Sequence, residues 1–157
     1  MIDKDRIYAV GYSLGAKVGL WSTPFEDRIA AMALVAGVNP LRSSGEDKER
    51  LGVKVYSHLH ALIPQLGFYL GKEEELPIDY DALIAAYAPK PLLMISPNWD
   101  QDSNAGELAL CIERASTAYK VLDQGKNLEF QPVEDFNRFS KEMEEEVLYW
   151  LMKKAGL

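Results

Sequence analysis

The 157-residue chain has 24 acidic and 17 basic residues, a formal net charge of −7, and a hydrophobic fraction of 48%. This composition predicts one globular domain, or part of one, and excludes a disordered, fibrous or disulfide-built protein. No stretch concentrates lysine and arginine, so nucleic acid is not an expected partner. No apolar run reaches the roughly 18 residues of a membrane span, so no membrane partner is expected.

The first half of the chain predicts a strand, a helix and a second strand. Residues 6–10 form a short apolar run ending at Gly11, which is typical of a strand buried on both faces. Apolar residues then recur at helical spacing until Pro24: Leu14, Val18 and Trp21. Residues 29–36 form a second apolar run, and a strand there completes a βαβ unit with parallel pairing.

A less regular region, residues about 40–88, predicts a helical insertion over the sheet. Four of its apolar residues recur at helical spacing until Pro64 interrupts the pattern: Leu51, Val55, Leu59 and Leu62. Asp79 is then a suitable N-cap for a short helix that must end before Pro89.

The last part of the chain repeats the alternation of strand and helix. Residues 92–96 and 128–133 predict strands, and the helix between them begins with a capping-box pattern at Asn104 and Glu107. One apolar face of that helix is predicted from Leu108, Cys111, Ala115, Tyr119 and Leu122. Ser140 begins a final helix with acidic residues early and lysines late, so the acidic run is a solvated face rather than a metal site. The fold class is therefore α/β, a parallel sheet with flanking helices.

The single cysteine, Cys111, cannot form an internal disulfide and lies in the apolar stripe of the helix predicted after Asn104. A buried structural thiol is therefore expected rather than a reactive one. A reducing, cytoplasmic location is compatible with this cysteine content.

The motif Gly11-Tyr12-Ser13-Leu14-Gly15 matches G-x-S-x-G and lies between a predicted strand and a predicted helix. A serine at the tip of such a turn is held in a strained conformation, and the flanking glycines are expected to let strand and helix approach closely. Ser13 is thus the predicted nucleophile, and the Leu14 N–H at the start of the helix a predicted oxyanion donor. Glycine spacing excludes a dinucleotide-binding loop, and no metal or organic cofactor is expected.

The residues leading into this motif, Arg6-Ile7-Tyr8-Ala9-Val10, are similar to α/β-hydrolases of the dienelactone hydrolase and acetyl xylan esterase kind, and the resemblance covers their C-terminal half. The stretch from Ala88 to Pro97 resembles the strand whose following turn holds the triad acid of that superfamily. Asp100 falls at the matching position, with Asp102 as the alternative. The chain order of nucleophile, then acid, agrees with the family.

The resemblance places the family's histidine in the loop before the last helix, where this chain has Asn137 instead. An amide cannot accept a proton from serine at neutral pH. The two histidines of the sequence, His58 and His60, both lie in the insertion, which the resemblance places over the carboxyl ends of the strands. Either is a candidate base, although a partly buried or surface histidine is the commoner role for each alone.

Hydrolases of this fold also have several strands and an oxyanion loop before the nucleophile strand, whereas five residues precede Arg6 here. The first strand would expose an apolar edge, so we expect self-association or a partner chain that completes the sheet. The sequence therefore predicts a serine carboxylic-ester hydrolase acting on a small-molecule ester, incomplete in this chain. The alternative is a catalytically silent hydrolase-fold protein that binds a ligand or partner.

Overall fold

The computed structural model describes residues 3–4, 6–43, 52–54 and 63–157. Across these ranges one sheet contains four strands: β1 (Ile7–Tyr12), β2 (Ile29–Val35), β3 (Leu92–Pro97) and β4 (Leu128–Val133). Neighbouring strands are parallel and follow the order of the chain. The carboxyl ends of all four strands therefore meet at the same edge of the sheet.

Helices flank both faces of this sheet and make three layers: α1 (Leu14–Ser22), α2 (Tyr80–Tyr87), α3 (Ala105–Val121) and α4 (Lys141–Ala155). The helices α1, α2 and α3 contribute to the core on one face, and α4 packs on the other. The predicted fold class, a parallel α/β sheet with flanking helices, is confirmed.

The two central strands explain the continuous apolar runs of the sequence. In β2, Met32 and Leu34 face the three-helix core, while Ala33 and Val35 face α4. The strand β3 is buried along its whole length. Because both faces of a central parallel strand are covered, apolar residues occupy successive positions rather than alternate ones.

The predicted apolar faces of two helices are wrong in part. Leu14 and Val18 of α1 are exposed, whereas Ala16, Lys17 and Leu20 are buried. The reason is that the backbones of β1 and α1 are in contact at the turn that holds Ser13, here called the elbow. This contact fixes which side of α1 faces the sheet. Leu122 is also exposed, because α3 ends at Val121 and the chain turns away.

Most of the helix predicted in the insertion, including His58 and His60, lies outside the described residues. Of its described part, residues 52–54 are helical, and the Val53 N–H donates to the Leu41 carbonyl at 3.0 Å. A 3-10 helix spans Pro64–Tyr69. The insertion is thus attached to the loop that follows β2.

The caps predicted from the sequence are confirmed in α3 and α4. Asn104 Oδ1 accepts the Glu107 N–H at 3.0 Å, and Ser140 Oγ accepts the Met143 N–H at 3.3 Å. The backbone N–H of Asn104 donates to Asn39 Oδ1 at 3.2 Å, which ties the start of α3 to the loop after β2.

Asp79 joins α2 to the loop that follows β2. Its buried carboxylate accepts three backbone N–H groups, from Leu41 at 2.8 Å, Arg42 at 3.0 Å and Tyr80 at 2.7 Å. Asp79 is therefore both the predicted N-cap of α2 and a link across 38 residues of chain.

Cys111 is fully buried in α3, as predicted, and burial raises the pKa of its thiol to about 12. Such a thiol is almost entirely protonated at neutral pH and is a poor nucleophile. Among the described residues, none of the helices has both the length and the apolar character needed to cross a bilayer.

The strand β1 is the outer strand of the described sheet and pairs only with β2 there. Four apolar side chains along β1 and the start of α1 are exposed: Val10, Tyr12, Leu14 and Val18. The exposed fraction of Val10 reaches 49%. An apolar outer strand of this kind is a surface on which another strand can pair.

The two motif glycines should respond differently to alanine. A Cβ on Gly11 would lie 2.5 Å from the Gly15 carbonyl oxygen, whereas a Cβ on Gly15 meets no described atom within 4 Å. We expect Gly11→Ala to destabilise the protein by roughly 1–3 kcal/mol through overpacking. Gly15→Ala should stabilise the helix by about 0.5–1 kcal/mol. Urea unfolding measures both; equal effects of the two substitutions would contradict this account.

Replacing Asp79 should release the insertion from α2. Asp79→Ala leaves N–H groups without an acceptor, and each buried one costs about 1–3 kcal/mol, so we expect a loss of roughly 3 kcal/mol. The matched control on the same helix is Asp81→Ala, which removes an ion pair with half-exposed Arg114 at 2.7 Å. Such pairs contribute about 0–1 kcal/mol. Unfolding free energies of the two variants that agree within error would contradict the linking role of Asp79.

Candidate active site

Four turns, each of which follows one strand, lie together at the carboxyl edge of the sheet. Ser13 follows β1, Gly37 follows β2, Asp100 follows β3, and Asn137 follows β4. The parallel order of the strands brings these turns together from four separate parts of the sequence. Ligand sites of open α/β sheets lie at this edge.

Ser13 has the strained backbone that the sequence motif predicts. Its φ is 51° and its ψ is −107°, and its N–H donates to the Val35 carbonyl at 2.9 Å. This conformation lies outside the regions that ordinary residues populate, and such residues cost on the order of 1–3 kcal/mol. The hydrogen bond to β2 and the helix that follows therefore hold Ser13 in a sharp turn.

Two glycines make this turn possible, and they are not the pair that the motif suggests. Gly11 is required because a Cβ would meet the backbone of Gly15. Gly37, with φ of 76°, lies beneath the turn, where a Cβ would be 2.5 Å from Ser13 Cα. Gly37 directly follows the apolar run of residues 29–36, a position that by itself indicates only the end of a strand. Gly15, by contrast, would meet none of the described atoms within 4 Å of an added Cβ, so among these residues the close approach does not require it.

The start of α1 presents backbone donors beside Ser13. The first N–H groups that bond back to the Ser13 carbonyl are those of Ala16 at 3.1 Å and Lys17 at 3.2 Å. The N–H of Leu14 precedes both, among the donors that a helix leaves for a cap or a ligand. A developing negative charge next to Ser13 would also be favoured by the helix dipole.

Asp100 is a buried carboxylate, with 5% of its surface exposed. Its Oδ1 accepts the Asp102 N–H at 3.0 Å, and its Oδ2 accepts the side-chain amide of Asn137 at 3.0 Å. The side chain of Asp102 is exposed, and its backbone is what contacts Asp100. Between the two candidate acids, Asp100 is therefore the one whose carboxylate is built into the site.

The loop that carries Asn137 is fastened to the turn after β3 by backbone hydrogen bonds. The Asn98 N–H donates to Val133 at 2.8 Å, and the Trp99 N–H donates to Asp135 at 3.0 Å. The rings of Trp99 and Phe136 meet edge to face, with centroids 5.1 Å apart. These contacts set the spacing between Asp100 and Asn137.

Tyr12, the second residue of the motif, connects this loop to the nucleophile turn. Its hydroxyl donates to the Asn137 carbonyl at 3.1 Å, and its ring stacks on Phe139 with centroids 6.0 Å apart. Because Tyr12 adjoins Ser13 in the chain, Asn137 lies next to the elbow. No local pattern indicates this contact, since 125 residues separate the two partners.

Lys17 is a further charged residue of the site that the sequence pattern did not single out. Only 6% of its surface is exposed, although it is one turn into α1. Burial lowers the pKa of its ammonium group, and the carboxylates of Asp102 and Asp100 oppose this effect. The spacing of Leu14 and Val18 predicts a buried face that leaves Lys17 outside it, so the helical pattern gives no sign of the burial of this lysine.

The described residues bring together Ser13, Leu14, Asp100 and Asn137, and add Tyr12, Lys17 and Gly37. The two candidate bases, His58 and His60, lie outside the described residues. Across the described ranges, no three His, Cys, Asp or Glu side chains are grouped as metal ligands. What the arrangement offers is a strained serine, helix N–H donors and a buried carboxylate held by an amide.

Comparison with known proteins points to esterases. No protein-family model matches the sequence. A curated relative, Carbohydrate esterase MZ0003 from an unknown prokaryotic organism, is 27% identical over 128 residues, which cover 79% of this chain and 29% of that protein.

Solved structures share the fold over nearly the whole chain. A carbohydrate esterase family 15 glucuronoyl esterase from Caldicellulosiruptor kristjansonii has a TM-score of 0.82 at 18% identity, with coverage of 99% of this chain and 45% of that one. The catalytic domain of a Hypocrea jecorina glucuronoyl esterase has a TM-score of 0.76 at 21% identity, with coverage of 97% and 45%. The chain thus spans less than half the length of these proteins and has the α/β fold that esterases of this kind use.

Proposed function

We propose that this chain carries the nucleophile and the acid of a serine carboxylic-ester hydrolase. The observation that supports this most is the strained turn at Ser13, with φ of 51° and ψ of −107°, between β1 and α1. A conformation that costs free energy persists only where the surrounding structure imposes it, and such residues cluster at active sites. The likeness of the fold to esterases supports the same reaction class.

In the proposed reaction, Ser13 Oγ attacks the ester carbonyl carbon while its proton passes to a base. The carbonyl π electrons move to the oxygen, and the Leu14 N–H donates to the resulting oxyanion. The bond to the alcohol oxygen then breaks, and the alcohol leaves with the proton from the base. Water attacks the acyl-serine by the same route, which releases the acid and regenerates the Ser13 hydroxyl.

Asp100 is the proposed acid, in preference to Asp102. Burial, two hydrogen-bond donors and its place after β3 support this role. The base is proposed to be His58 or His60, the two histidines of the sequence. The attachment of the insertion to the loop after β2, at the carboxyl edge of the sheet, supports this assignment.

The proposed substrate is a small-molecule ester of a carbohydrate. Relatives named as carbohydrate and glucuronoyl esterases support this class. The narrower resemblance to dienelactone hydrolases and acetyl xylan esterases stays a prediction from the sequence.

The second candidate function is a catalytically silent hydrolase-fold protein that binds a ligand or partner. The observation that favours it is the hydrogen bond from Asn137 to Asp100, because a side chain without a basic atom occupies the partner position of the acid. The two candidates share Ser13 and Asp100 and differ in whether a base reaches Ser13.

The outer edge of β1 is proposed to pair with a further strand, from a second copy or another chain. The exposed apolar side chains along β1 and the start of α1 support this proposal.

We expect a fluorophosphonate to label Ser13, because only an activated serine reacts readily with this reagent. Ser13→Ala should abolish labelling, and Ser116→Ala, at a partly exposed serine of α3, should leave it unchanged. Asp100→Asn should slow labelling by about 10²-fold or more, and Asp102→Asn by less. Peptide mass spectrometry locates the label.

Two outcomes would count against the proposal. Labelling that survives Ser13→Ala would remove Ser13 as the nucleophile. A wild-type protein that neither reacts at Ser13 nor hydrolyses p-nitrophenyl acetate would favour the silent candidate.

The 157-residue chain should self-associate in solution through β1. Val10→Lys places a charge on the outer strand and should shift the protein toward the monomer. The control is Phe25→Lys, which changes an exposed aromatic residue after α1, away from this strand. Size-exclusion chromatography with light scattering gives the mass; a monomeric wild type at about 100 μM would contradict the prediction.

A further inference from the structure

We infer that Asn137 occupies the base position of this site, so that one substitution, Asn137→His, is sufficient to assemble a serine, histidine and aspartate triad. The inference rests on the proposed role of Ser13 as nucleophile. It goes beyond that role because it assigns Asn137 as the residue that positions the acid from the place a triad histidine would take.

The hydrogen bond of Asn137 is the one that a triad histidine would make. Its Nδ2 donates to Asp100 Oδ2 at 3.0 Å, as the Nδ1–H of an imidazole does to the acid of a triad. The amide thereby satisfies the buried carboxylate. An imidazole would do the same and would add a basic nitrogen on the far side of its ring, whereas an amide has no basic atom.

The backbone at position 137 is held independently of its side chain. The Tyr12 hydroxyl bonds to the Asn137 carbonyl, and the loop is fastened by hydrogen bonds from the N–H groups of Asn98 and Trp99. A new side chain at this position therefore starts from the same backbone, which Tyr12 ties to the turn of Ser13. Among the described residues Asn137 is half-buried, and their side chains leave part of it open to solvent.

The fixed backbone and the buried acid define what the substitution would do. The imidazole Nδ1–H would donate to Asp100, and the neutral Nε2 would accept the Ser13 Oγ proton as Oγ bonds to the carbonyl carbon. The imidazolium would then return this proton to the leaving alcohol oxygen as its bond to the acyl carbon breaks. Water would hydrolyse the acyl-serine with the same proton transfers.

The cleanest test uses a background without other histidines. His58→Ala/His60→Ala removes both histidines of this sequence, so an introduced imidazole is the only one in the chain. In that background, Asn137→His is compared with unchanged Asn137 and with Asn137→Gln, which keeps the amide. Fluorophosphonate labelling of Ser13 and hydrolysis of p-nitrophenyl acetate are both measured, and circular dichroism reports folding.

We expect Asn137→His to raise both rates by about 10²-fold or more, the usual contribution of a general base. The neutral imidazole is the active form, so the rates should be low at acid pH and rise through a pKa of about 6.5. Asn137→Gln should give no gain and no such titration. Adding Ser13→Ala or Asp100→Asn should cancel the gain.

If Asn137→His does not fold, Asn137→Ala in the same background replaces it. Added imidazole should then accelerate Ser13 labelling in Asn137→Ala more than in the parent, because the vacated position admits the free base. Absence of this acceleration would overturn the inference.

Two further results would overturn it and separate it from the proposed function. A folded Asn137→His protein with the same rates as its parent background, beside a reactive wild type, defeats the inference while the nucleophile assignment stands. Absence of Ser13 reaction in every protein, the wild type included, removes the nucleophile assignment and the inference together.

Discussion

The contact between the backbones of β1 and α1 is the constraint on which the rest of the site depends. Gly11 has no room for a Cβ because the Gly15 carbonyl lies against it, and Gly37 has none because Ser13 lies above it. Without these two close backbone contacts, the chain would not turn sharply enough to hold Ser13 at φ of 51°. The same contact rotates α1 so that Lys17 is buried near Asp100, and Leu14 and Val18 face outward.

A second set of contacts brings the acid and its partner to this turn. Backbone hydrogen bonds join the loops after β3 and β4, and Tyr12 bonds the second loop to the elbow. Asp100 is therefore buried, and within the described residues each of its carboxylate oxygens accepts a hydrogen bond. A buried carboxylate without donors would cost several kcal/mol, so the amide of Asn137 also contributes to the stability of the fold.

The hydrogen bond that holds the acid and the ability to transfer a proton are thus two separate properties of the site. Asparagine and histidine both donate a hydrogen bond to a carboxylate from a similar distance along the side chain, so either can complete the structural part of the arrangement. Proton transfer is a different requirement, since it needs a basic atom with a pKa near neutral pH. A hydrolase scaffold can therefore retain its strained serine and buried acid whether or not the base is present.

Local sequence patterns were enough to predict the strands, the parallel sheet, the caps at Asn104 and Ser140, and the strained serine, because each depends on neighbouring residues in the chain. They also predicted that Cys111 is buried. Tertiary structure decided which face of α1 is buried, that Gly37 rather than Gly15 makes room for the turn, and that Tyr12 holds the loop of Asn137. These features depend on groups that come into contact only when the four strands pair. The spacing of residues along the chain does not determine the distances between such groups.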